Sequence, residues 1–60
     1  MKIHEMLTAV GERLSEQAAE WWAGAGQELI DEIALIAQRD GIDVAVTAIE
    51  ELATAAGEKV

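Results

Sequence analysis

Glycine divides this chain into three amphipathic stretches, and no proline or cysteine interrupts or staples them. Gly24 and Gly26 form the first break, Gly41 follows Asp40 at the second, and Gly57 stands near the C-terminal end. Glycine reaches backbone conformations closed to other residues, so glycines placed this way end helices. The spacing predicts an all-α fold: a small three-helix domain with helices over about 2–23, 27–39 and 44–56, residues 1–60 forming one domain. The first helix is expected to be the longest. With short connections, the second and third should form an antiparallel hairpin against it.

Each stretch supports a helix by its periodicity. In the first, Ile3, Leu7, Val10, Leu14 and Trp21 repeat at heptad-like spacing, widened by Met6 and Ala18, with Glu5, Glu12, Glu16 and Glu20 opposite. In the second, Leu29, Ile30, Ile33, Ile36 and Ala37 share a face. Glu28, Asp31 and Glu32 load its early turns, where the helix dipole favours acids, and Arg39 sits in its last turn. In the third, Asp43 is the expected N-cap, with Ile42 before it able to pack back. Thr47, Glu50, Glu51 and Thr54 make its polar stripe, and Ala45, Val46, Ala48, Ile49, Leu52, Ala53 and Ala56 cover the rest. Gly57 is expected to stop that helix, leaving Glu58-Lys59-Val60 to fray.

Size sets the next constraint. A chain of 60 residues withdraws only about 60% of its unfolded surface on folding, so such domains lean on disulfides, metals or oligomerisation. Without cysteine there is no disulfide and no thiolate site, and a single histidine, His4, rules out a multi-histidine site within one chain. Hydrophobic residues are 52% of the chain, but twelve of them are alanine, each with little area. Self-association through the first helix is therefore the expected support, most simply as a homodimer.

Charge narrows the partners. Twelve acids against four bases give a net charge of −8, which repels nucleic acids and anionic lipids. No apolar run approaches the roughly 18 residues a membrane span needs. The opening Met1-Lys2-Ile3-His4-Glu5 carries no hydrophobic signal region, so the expected location is cytoplasmic. Partners are expected to be proteins, with no nucleic acid and no membrane.

Five residues stand out as candidates for partner binding. Trp21 and Trp22 point about 100° apart on a helix, so both cannot enter one core fully, and tryptophan is enriched at interface hot spots. Gly11 and Ser15 lie, with Thr8, Ala18 and Ala19, in a strip of small residues that would admit another helix closely. Leu35 falls on the polar side of the second helix, between Glu28, Glu32 and Arg39.

Two short motifs resemble known families. Trp22-Ala23-Gly24 resembles the W-x-G turn of small secreted helical-hairpin proteins, although the tyrosine of their secretion signal has no counterpart in a chain without tyrosine. Ala37 and Gly41 are similar to the Ala-x-x-x-Gly of DNA-binding helix-turn-helix domains. That likeness implies a recognition helix after Gly41. Thr47 and Glu50 stand where that pattern needs apolar residues, and the segment lacks Lys and Arg.

No catalytic, cofactor-binding or metal-ligating set is expected. Ser15 has no base within helical reach, His4 lacks a Glu-x-x-His partner, and the acids after Gly24-Ala25-Gly26 would repel a phosphate. The expected function is a small acidic protein–protein interaction module, a dimerising adaptor or accessory subunit without catalysis of its own. An acidic, antitoxin-like inhibitor covering a basic surface is the second expectation, and a designed or purely structural helical protein the third.

Overall fold

The structure, a computed structural model, describes residues 2–58. Its elements are all helical: α1 (Ile3–Arg13), α2 (Glu16–Ala23), α3 (Gln27–Asp40) and α4 (Ile42–Glu58). The count corrects the expected three helices to four among the described residues. The stretch expected as one helix over 2–23 is broken at Leu14 and Ser15, which are extended at φ −74°, ψ 149° and φ −63°, ψ 162°.

A local cap, a side chain from elsewhere in the fold and the packing of Leu14 on the core hold this break. The Ser15 hydroxyl accepts from the Ala18 amide at 3.3 Å and so caps α2. In the usual capping box a glutamate three residues on would return to the cap's own N–H. Ala18 stands at that position, and Glu50 of α4 takes the role instead. Its carboxylate accepts from the Ser15 amide at 2.7 Å and from the Ser15 hydroxyl at 2.9 Å. Beside it, Arg13 at the end of α1 pairs with Asp43 on α4. That pair is exposed and contributes less than about 1 kcal/mol. Glu50 is the half-buried member of this cluster and makes two charge-assisted bonds to one residue.

The α3–α4 corner is built locally. Gly41 sits at φ 104°, ψ 161°, the one positive-φ glycine among the described residues. It ends α3 by donating its N–H to the Ala37 carbonyl at 3.1 Å. α4 starts at Ile42, so Asp43 lies in its first turn and serves Arg13; it is not the N-cap expected from the sequence. At the other end α4 runs through Gly57 to Glu58, correcting the expected stop. A Cβ at Gly57 would come within 3.2 Å of Gln17 Nε2, the far end of a flexible, exposed side chain. Lys59 and Val60, expected to fray, lie outside the described residues.

α4 is the longest helix, at 17 residues, a place the sequence had assigned to the first. It packs against α1, α2 and α3, and α1 also packs against α3. Its inner line, Ala45, Ile49 and Ala53, is buried, facing Met6 and Val10 of α1, Ala18 of α2, and Ile33 and Ala37 of α3 across one cluster. Among the described residues, five of the nine that are buried are alanine: Ala18, Ala34, Ala37, Ala45 and Ala53. Small side chains let helix axes approach. Ile33, Ile49 and Val10 are the largest side chains fully withdrawn from water. The Cα radius of gyration, 10.7 Å, matches the roughly 10.4 Å of a folded chain this long. The four helices therefore close a core within one chain.

Candidate protein-interaction surface

Closing that core leaves apolar surface behind. Ile3, Leu35, Val44 and Leu52 are 49%, 62%, 47% and 44% exposed. Two of them share a line on α4. Val44, Ala48 and Leu52 recur every four residues and so stack along one flank, about 100° round the helix from the buried Ala45, Ile49 and Ala53. Ala48 between them is half-buried, and Ala55 extends the flank outward, exposed. Glu51 and Glu58, both exposed, border the flank within about 40° of Val44 on the side away from the core. The result is an apolar stripe about two turns long with an acidic edge.

The five residues singled out from the sequence lie in different settings. Trp21 and Trp22 are both half-buried and both pack against the core cluster on either side of Ala18. α2 is short, and its rings close the core without either being buried fully. Gly11 is in the last turn of α1, and a Cβ there would meet nothing within 4 Å. No helix of this chain uses it for close approach. Ser15 is the α2 cap described above. The strip of small residues that joined Gly11 to Ser15 and Ala19 assumed one straight helix, and the break after Arg13 divides it. Leu35 is exposed on α3, as its place among Glu28, Glu32 and Arg39 predicts. With Glu32, Ile36 and Arg39 it lines a shallow groove of about 220 Å³.

Val44, Ala48 and Leu52 were missed as a surface. The signal was present: apolar residues occupy more of the circumference of α4 than packing on one core requires. The sequence predicts the excess but does not say which flank carries it.

The remaining chemistry is sparse. Glu28, Asp31 and Glu32 surround Leu29 on exposed α3 surface. Among the described residues no group of three His, Cys, Asp or Glu side chains could hold a metal. No helix there is long and apolar enough to cross a membrane. Buried side-chain polar atoms without a partner, a common mark of a ligand site, do not occur among the described residues.

No family model matches the chain, and no curated protein or solved structure matches it.

Proposed function

We propose that this protein is a non-catalytic interaction module, an accessory subunit that docks on a larger partner through the outer flank of α4. The observation carrying this reading is the Val44–Ala48–Leu52 stripe, left 44–47% exposed at its two large residues by a chain that has already closed its core. A stripe at i, i+4 and i+8 is the form in which one helix receives another. The acidic edge at Glu51 and Glu58, on a chain of net charge −8, favours a partner helix with lysine or arginine beside its apolar face.

Position-specific crosslinking tests this. A photo-crosslinking residue in place of Leu52 is expected to trap a single partner in cells, and Val44→Glu is expected to abolish the adduct. The same crosslinker in place of Gln38, exposed on α3, should not trap it. An equal adduct from both positions would sink the reading. An adduct of twice the 6.4 kDa chain mass would replace the heterologous partner with a second copy.

A further inference from the structure

The segment joining α1 to α2 contains nothing that forbids a helix. Arg13, Leu14, Ser15 and Glu16 include neither glycine nor proline. Leu14 and Ser15 alone leave the helical region, in extended conformations open to any residue. The bend thus carries no backbone strain of its own. Its own contribution is one cap bond, from the Ala18 amide to Ser15, and a weak 3.4 Å bond from the Leu14 amide to the Gly11 carbonyl. α4 adds Glu50 on Ser15 and Asp43 on Arg13, and Leu14 in the bend packs against the core cluster.

Released from α4, residues 3–23 can run as one helix of about 31 Å. Its apolar stripe, from Ile3 through Leu14 to Trp21, is already in phase for that form. Straightening lifts α1 away from its own α3 and α4 and empties the seat where Met6 and Val10 are buried. That seat has a demonstrated complement, which is α1 itself. In a reciprocal exchange every contact of α1 with α3 and α4 is made again between chains, and two-fold symmetry closes the assembly.

We infer that the chain exchanges α1 with a second copy of itself. Leu14-Ser15 is the hinge, and the Glu50–Ser15 contact sets the balance between closed monomer and exchanged dimer. The inference stands on the bend and not on the α4 flank, so either can fail alone.

Solution mass by light scattering after size exclusion tests it, from micromolar to millimolar chain at 0.15 M salt. There the Debye length is about 8 Å, so repulsion between acidic chains is damped. Ser15→Ala combined with Glu50→Ala is expected to raise the dimer association constant about tenfold or more. Glu16→Pro is the opposing variant. Residue 16 is the first of α2 and follows an extended residue, a position that suits proline in the bent form. In the straight form the same proline falls inside a helix, once per chain, and should lower the association constant about a hundredfold or more. Added to the double variant, it should restore the monomer. If circular dichroism shows the double variant losing helix, Ser15→Ala alone serves, with a smaller rise. A clasp variant that remains folded and monomeric at millimolar concentration overturns the inference. So does a dimer that survives Glu16→Pro.

Discussion

At the α3–α4 corner the chain reverses through Gly41, whose φ of 104° and ψ of 161° lie in a region almost closed to other residues. At the α1–α2 corner it turns through Leu14 and Ser15, both in ordinary conformations, and the turn is fixed by a carboxylate 35 residues away. The first corner is written in the residue that makes it. The second depends on α4 being in place. A corner of the first kind should survive loosening of the tertiary structure, whereas one of the second kind should dissolve with it.

The largest test removes what the two corners share. Ile49 is fully buried on the α4 face against which both close. Ile49→Ala should destabilise the fold by about 2–5 kcal/mol, read as a lowered urea midpoint. Amide exchange should show protection at Ala18 and Ala19 of α2 lost along with that of the α4 core. If α2 kept its protection while α4 lost its own, the α1–α2 corner would not depend on α4.

Gly41→Ala separates the corners. Nothing lies within 4 Å of a Cβ built there, so the cost comes from the backbone alone, about 1–3 kcal/mol. The urea midpoint should fall by that amount with Leu14 and Ser15 still extended. A neutral substitution would mean that Gly41 does not need its positive φ.

Arg13→Ala gives the smallest expected effect. The Arg13 and Asp43 side chains are 56% and 89% exposed, and an exposed pair is worth about 0.2–1 kcal/mol. A loss near the lower end would leave Glu50 as the group that holds the bend. A loss above about 1 kcal/mol would move that role to the ion pair.

The same contrast explains which parts of the fold were legible in the sequence. The breaks at 24–26 and 41 could be read because glycine acts locally, and Leu35 could be placed on the polar side from helical phase alone. The break at Ser15, inside the helix expected over 2–23, could not be read this way. Ser15 followed by Glu16 has the chemistry of a cap, but Ala18 stands where the reciprocal glutamate belongs, and its substitute is on another helix. Gly57 misled in the opposite direction: it sits inside α4 and does not end it. The alanines misled as well. Counted one by one they offer little area, yet Ala45 and Ala53 are buried where α4 meets its neighbours in the core. As for the candidate surface, phase shows that α4 carries more apolar residues than one face holds. Which flank stays uncovered is decided only when α1, α2 and α3 take their places.

Glu50 of α4 holds the bend at Leu14-Ser15, and NMR Cα chemical shifts report that dependence most directly. In the closed monomer, observed at low concentration, Leu14 and Ser15 should carry extended-type shifts between two helical blocks. In Glu50→Ala both residues should move toward helical values as the exchanged dimer forms, while Gly41 stays unchanged. Helical shifts at Leu14 and Ser15 in the closed native monomer, or extended shifts that persist in a dimeric Glu50→Ala, would contradict it.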